Sequence, residues 1–425
     1  MCVALVVGNT IGASIFLLPA TLAPYGLNAL TGWLVTALGC LVLAGVFASL
    51  ARALPGAEGP FGYIRHGLGE PAAFVALWCY WASGCAGNAV IAIGAAAYAP
   101  AAIPIAGSTP APMIAIGAIW LFTVVNLLGV RTGGGVQMLT TALKLVPMAA
   151  VILLGAWVLL SHPSLYSSHT PSTPLSLRGT MATATLALFA MLGLECASVP
   201  ASRVRDPGRT IPMATMVGTL STAAIYVAIS IIPMLLLVQA DLARSQAPFA
   251  DLLDRFLGQG WGRWLALFVV ISGLGALNGW TLLMGEVTRA MAANGSVPSV
   301  LGRLNSRGAP AMALILTSVV ATALVAMNYS RSLVGAFTFL INVTTAATLP
   351  LYFLCSVVLA LMARAARARL ALGLAGIAFC LFAIVGVGWE PLKWALVLSA
   401  AGLPIWAIQR WRRRPSRAAY SSPGN

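Results

Sequence analysis

No Asp, Glu, Lys or Arg occurs between Met1 and Leu50, and none between Pro71 and Val130. A water-soluble fold needs charge on its outward faces, and a typical soluble chain is about 25% charged. Here charged residues make up 8% of the 425 positions and hydrophobic ones 60%. Such a chain covers its surface only where the surrounding solvent is hydrocarbon, so it reads as an integral membrane protein. Collagen-like, disordered and disulfide-scaffold classes fall with the same observation, since the chain is apolar, lacks a short repeat and has only 7 cysteines.

One crossing of the hydrocarbon layer takes roughly 20 apolar residues. Turn formers at Pro24–Gly26, Pro100, Pro104 and Gly107–Pro110 divide the two charge-free runs. The pattern predicts spans near 1–22, 27–52, 71–99, 111–130, 138–160, 179–201, 210–238, 264–293, 309–329, 332–361, 370–388 and 391–410, an all-α protein of twelve transmembrane helices. The basic residues test this count. The side holding the 2–3, 4–5, 6–7, 8–9 and 10–11 loops and the tail carries 17 Lys and Arg, and the opposite side 6, with Lys144 inside the fifth span. Cytoplasmic loops collect Lys and Arg, so both termini are expected in the cytoplasm.

The net charge of +15 also raises nucleic-acid binding, with RWRRRPSR at 410–417 as the basic patch. Its place directly after the last span favours a tail held at anionic headgroups instead. The first apolar stretch has no basic leader and is long enough to insert, so it reads as a span rather than a cleaved signal. Cys2, Cys40, Cys79, Cys85, Cys196, Cys355 and Cys380 lie in apolar segments without a C-x-x-C pair. Neither zinc, a disulfide framework nor a cofactor is indicated. His66, His162 and His169 fall in predicted loops with no nucleophile–base or metal-spaced partners, which argues against an enzyme.

Two spans look built to break. The first reads Gly8-Asn9-Thr10-Ile11-Gly12-Ala13-Ser14-Ile15-Phe16 before Pro19, and the sixth reads Gly193-Leu194-Glu195-Cys196-Ala197-Ser198 before Pro200. Irregular backbone at membrane depth is tolerated only around a cavity. Small residues spaced like Gly8-x-x-x-Gly12 also serve close helix packing, so either span alone leaves both readings open. The pair carries more. Breaks in first and sixth place imply two five-helix repeats, the second inverted, over 1–160 and 179–361. Two extra helices at 370–410 and a basic tail at 411–425 would follow. Corresponding interrupted segments in two halves point to a transporter's central site.

Of nine acidic residues, Glu195 alone sits mid-span. An ionised carboxylate there costs roughly 3 kcal/mol on insertion scales, and a proton or a cationic substrate would be its natural partner. A fixed ion pair with Lys144 is the alternative. Other mid-span groups could complete a site: Asn88 both donates and accepts, Trp280 lies deep in the eighth span, and Tyr80, Phe189 and Tyr352 offer aromatic faces. Each alone also fits ordinary packing.

Taken together, GNTIGASIFLLPATLA (8–23), GWLVTALG (32–39), YWASGCAGN (80–88), GLECASV (193–199), DPGRTIPMAT (206–215) and GWTLLMGE (279–286) resemble the amino acid–polyamine–organocation superfamily. The likeness runs along almost the whole chain, and is greatest to the bacterial basic amino acid/polyamine antiporters, the arginine/agmatine antiporter among them. The resemblance implies alternating access around two broken helices, in a permease of the bacterial cytoplasmic (inner) membrane that is often a homodimer. It also implies a small amino acid or amine as partner. It places the substrate's carboxylate and amine at Asn9, Thr10, Ala13 and Ser14, and matches the third-span asparagine to Asn88. Glu195 corresponds to a glutamate associated with proton sensitivity and gating, and Trp280 to a tryptophan along the substrate's aliphatic chain. Thr344 falls where a substrate-proximal serine stands, and Tyr80 and Tyr352 match gating tyrosines.

Three features depart from the family pattern. Phe189 replaces a guanidinium-stacking tryptophan, Gly12-Ala13-Ser14 replaces a G-S-G turn, and only seven residues precede Gly8, so the native start is expected upstream of Met1. The expected function is exchange of a basic amino acid for its amine or a polyamine, arginine/agmatine-like. The alternative is a proton-coupled carrier or exporter of neutral amino acids, with Glu195 binding only the proton.

Overall fold

A computed structural model describes residues 10, 12–57, 59–103, 109–129, 133–162, 164, 173–197, 206–363 and 366–412. Among them there is helix and connecting turn but no strand. The first predicted span is described only from Thr10 and Gly12 onward. It runs as a 3₁₀ turn over Ala13–Phe16, a short helix over Leu18–Leu22 and a second 3₁₀ turn over Ala23–Tyr25. Gly26 then turns the chain with a positive φ of 53°. Helix α1 follows over Asn28–Ala53, α2 over Gly59–Leu68 and α3 over Glu70–Ala102. Next come α4 (Ala111–Leu127), α5 (Gly133–Ser161), α6 (Leu177–Ala190) and α7 (Pro207–Leu236). The second half continues with α8 (Pro248–Leu257), α9 (Trp261–Ala293), α10 (Ala311–Met327) and α11 (Leu333–Met362). The last elements are α12 (Arg367–Val387), α13 (Trp389–Ala400) and α14 (Gly402–Arg412).

Among the described residues, eight segments are long and apolar enough to cross a membrane, and α4 and α10 are shorter apolar helices. The 33 residues of α3 and of α9 extend about 50 Å at 1.5 Å per residue, beyond a hydrocarbon layer of about 30 Å. They therefore project past the apolar layer. By contrast α6 has 14 residues, about 21 Å, and ends at Ala190 where a full crossing would continue.

Local sequence explains the boundaries. Ser176 caps α6 and Ser332 caps α11, each side-chain oxygen accepting from the backbone N–H three residues on. Asp254 of α8 accepts from the N–H groups of Gly260 and Gly262, capping α9 from a neighbouring element. The predicted span 391–410 is two pieces meeting at Ala401, because Pro404 cannot donate to the carbonyl four residues back. Of the helices named above, α2 and α8 lie outside the predicted spans. In α2, Tyr63 and Ile64 are buried while Arg65 and His66 are exposed; in α8, Phe249, Leu252 and Leu253 are buried while Asp251 and Arg255 are exposed. Each is a short amphipathic helix lying on its neighbours.

At the centre runs α3, buried almost throughout and packed most extensively on α9 and α11. On one flank α1 packs against α6 and α7. There Gly32 lets α6 approach so closely that a Cβ would stand 2.2 Å from Thr183 Oγ1. Hydroxyls bind the same contact: Thr36 donates to the Ala184 carbonyl at 2.8 Å and Thr183 to that of Asn28 at 2.7 Å. The outer surface is apolar, with Leu153 69%, Leu160 85% and Val385 67% exposed, as a lipid-facing surface is.

Candidate functional site

Both segments predicted to break depart from α-helix in their described parts. In the first, Gly12 lies outside any helix and the Tyr226 hydroxyl of α7 donates to the Thr10 carbonyl at 2.9 Å. The Gly12 amide faces the same hydroxyl, so one tyrosine side chain serves a donor and an acceptor of the interrupted backbone. Further along, the Tyr98 hydroxyl of α3 donates to the Phe16 carbonyl at 2.8 Å and accepts from the Phe249 N–H of α8 at 3.3 Å. In the sixth span α6 gives way to a turn at Met191–Gly193 and then a 3₁₀ turn over Leu194–Ala197. Gly193 has φ +103°, a conformation side chains with a Cβ rarely adopt, so this glycine is what lets the helix stop there.

Between these segments lies a cavity of about 40 Å³. Thr10 and Gly12 bound it on the first segment, and Phe189 and Leu192 on the sixth. The α3 wall presents Tyr80, Ser83, Gly84, Gly87 and Ile91; Trp280 of α9 and Thr344 and Thr348 of α11 complete it. Polar lining is by hydroxyls, one ring N–H and backbone, with no carboxylate among the lining residues. The Ser83 and Thr348 hydroxyls bond to each other at 2.5 Å across the α3–α11 contact. The Thr344 hydroxyl donates to Leu340 O of its own helix at 2.8 Å.

Glu195 sits just behind this chamber, 1% exposed. Its Oε2 accepts from the Tyr352 hydroxyl at 2.6 Å. The Tyr80 hydroxyl and the backbone N–H groups of Gly193 and Glu195 itself also reach the carboxyl. Tyr80 thus touches both the cavity and the acid. Lys144, the other buried charge of the sequence reading, is 1% exposed on α5.

Of the sequence-derived candidates, Thr10, Tyr80, Phe189, Trp280 and Thr344 line one cavity. Glu195 and Tyr352 form a bonded pair behind it. Asn88 is 2% exposed on α3 beside Gly87 but does not line the cavity, and its Oδ1 has no hydrogen-bond partner. Asn9 lies outside the described residues. Ala13 and Ser14 have described backbone, in the 3₁₀ turn, but their side chains are not described. Ser83, Gly84, Gly87, Ile91, Leu192 and Thr348 were missed. Spacing could have found most of them, since 80, 83, 84, 87 and 91 make one helical stripe and 344 and 348 stand one turn apart. Cys40, Cys79, Cys85, Cys355 and Cys380 are free and buried, and no His/Cys/Asp/Glu group that could hold a metal occurs among the described residues.

The chain is similar to known transporters along nearly its whole length. The chain is 29% identical to the cadaverine/lysine antiporter of Escherichia coli K12 over 97% of its own length and 95% of that protein. It is 26% identical to the putrescine transporter PotE of the same strain, over 94% and 93% of the two chains. The putrescine transporter PotE of Haemophilus influenzae is also 26% identical, over 95% and 94%. A family model described as amino acid permease matches residues 2–402. The chain therefore belongs to the amino acid permease family of the amino acid–polyamine–organocation superfamily, and is a membrane transporter rather than an enzyme.

Proposed function

We propose that this protein is a secondary antiporter that exchanges a basic amino acid for its amine or a polyamine by alternating access. The observation that carries the reading is a chamber bounded by both interrupted segments, with a buried carboxylate at its edge held by Tyr352 and Tyr80. Similarity along nearly the full chain to a cadaverine/lysine antiporter and to putrescine transporters supports amines as cargo. In this reading the backbone around Thr10 and Gly12 receives the substrate's head, with Asn9, Ala13 and Ser14 contributing from the same turn. Phe189 and Trp280 hold the aliphatic chain between two rings. Thr344 stands near the substrate, and Asn88 of α3 takes the part of the family's third-span asparagine. Glu195 changes protonation as the site alternates, and Tyr80 and Tyr352 tie that change to opening and closing.

The architecture proposed with it is twelve spans, the first ten as two inverted five-helix repeats over 1–160 and 179–361. Two further helices at 370–410 precede a basic tail at 411–425. The chain lies in the bacterial inner membrane with both termini in the cytoplasm, as the excess of Lys and Arg on one set of loops supports. A homodimer is the assembly expected from the family.

Because the cavity lining offers no carboxylate to a side-chain ammonium, a carrier of neutral amino acids is the second reading. Proteoliposomes loaded with unlabelled lysine and given labelled 1,5-diaminopentane test the first. Uptake dependent on internal lysine, competed by lysine, arginine and agmatine but not by leucine, is the expected result. Competition by leucine alone would transfer the assignment to the neutral carrier. Glu195→Gln is expected to abolish the pH dependence of exchange. An unaltered rate and pH profile would remove Glu195 from the mechanism.

A further inference from the structure

We propose that Gly87, acting with the Thr344 methyl group, sets the length of the aliphatic chain the central site accepts. The proposal rests on the exchanger reading above for where the substrate's head lies. Two glycines on the cavity stripe of α3 serve different ends. At Gly84 a Cβ would fall 1.9 Å from Met284 Sδ, so this glycine exists to let α9 pack against α3. At Gly87 the only heavy atom that a Cβ would meet within 4 Å, outside its own helix turn, is Thr344 Cγ2, at 3.6 Å. That is ordinary van der Waals contact, and alanine fits without displacing anything.

Glycine inside a helix weakens it relative to alanine, and no neighbour requires the concession here. What an added methyl would fill is the cavity, since Gly87 and Thr344 both line it. On the facing helix the Thr344 hydroxyl donates to the Leu340 carbonyl. The hydroxyl is therefore engaged within α11, and it is the methyl that stands opposite Gly87. The chamber is bounded by Thr10 and Gly12 on the first segment and by Gly87 and Thr344 at the α3–α11 wall. A substrate with its head at the first segment ends its methylene chain against the gap between Gly87 and Thr344. One methyl group on either side changes the reach of the loaded chamber by about one methylene.

The test measures exchange by the wild type, Gly87→Ala, Thr344→Ser and the double variant in proteoliposomes. Two homologous series are used: α,ω-diamines from 1,3-diaminopropane to 1,6-diaminohexane, and straight-chain neutral amino acids from alanine to norleucine. One methylene in a fitted pocket discriminates by roughly 10–200-fold. Gly87→Ala is expected to move the preferred length down by one carbon, with a loss of at least about tenfold for the longest good substrate and little for the next shorter. Thr344→Ser should move it up, and the double variant should return it toward the wild type. If the wild type carries only the neutral series, the amine reading fails while the ruler is still read on that series. An unchanged length preference in Gly87→Ala, or an equal loss for every member, would overturn the proposal. So would a lower melting temperature for purified Gly87→Ala, which would mean that the added methyl meets protein rather than open cavity.

Discussion

Replacing Tyr352 by Phe isolates one bond of the site. The ring keeps its edge-to-face contact with Phe47, whose centroid lies 5.6 Å away, so packing is preserved and only the hydroxyl is lost. That hydroxyl donates to Glu195 Oε2 at 2.6 Å inside the protein. A hydrogen bond to a charged partner contributes about 1.5–3 kcal/mol, and one pH unit corresponds to about 1.4 kcal/mol. Tyr80 and two backbone N–H groups remain on the carboxyl, which keeps the loss at the lower end, about 1.5 kcal/mol. A loss of that size corresponds to roughly a tenfold change in an equilibrium, so the pH–exchange profile in proteoliposomes should be displaced from that of the wild type, with the maximal rate changed less. A profile that stays in place while the melting temperature drops would refute the reasoning. Tyr352 would then brace the fold, and the carboxyl would not titrate during transport.

Three further outcomes follow from the packing. Gly32→Ala drives a methyl into Thr183 at the α1–α6 contact and should destabilise the purified protein by about 1–3 kcal/mol, read as a lower melting temperature. Tyr98→Phe removes the hydroxyl shared by the Phe16 carbonyl and the Phe249 N–H, costing about 1–3 kcal/mol and speeding amide exchange at Phe249 in α8. Trp280→Ala strips an aromatic wall from the cavity, and should raise the concentration for half-maximal exchange at least about tenfold.

The long helices were legible because a hydrocarbon solvent leaves a coarse signature. The prediction 27–52 meets Asn28–Ala53, and 332–361 meets Leu333–Met362. The short ones were not. Ten residues are too few for a span, and Arg65 and His66 in α2 and Asp251, Asp254 and Arg255 in α8 pull hydropathy down to that of a loop, while Gly69 and Gly258, both at positive φ, mark only where they end. Glu195 announced itself as a charge out of place, but its bond to Tyr352 spans 157 residues, and the resemblance marked Tyr352 only as a gating tyrosine. Ser83, Gly84, Gly87 and Thr348 were hidden because small residues serve helix packing as readily as a binding wall. Position relative to the chamber distinguishes those uses, and composition does not.

A chamber of 40 Å³ has room for two or three water molecules, far less than a lysine needs. Loading must prise the surrounding helices apart, and part of every contact formed with the cargo is consumed in doing so. Measured dissociation constants will consequently understate the grip of the widened form by the fraction of molecules that adopt it unaided. An antibody fragment that wedges that form should tighten amine binding by the same factor, and amine should tighten the antibody in return.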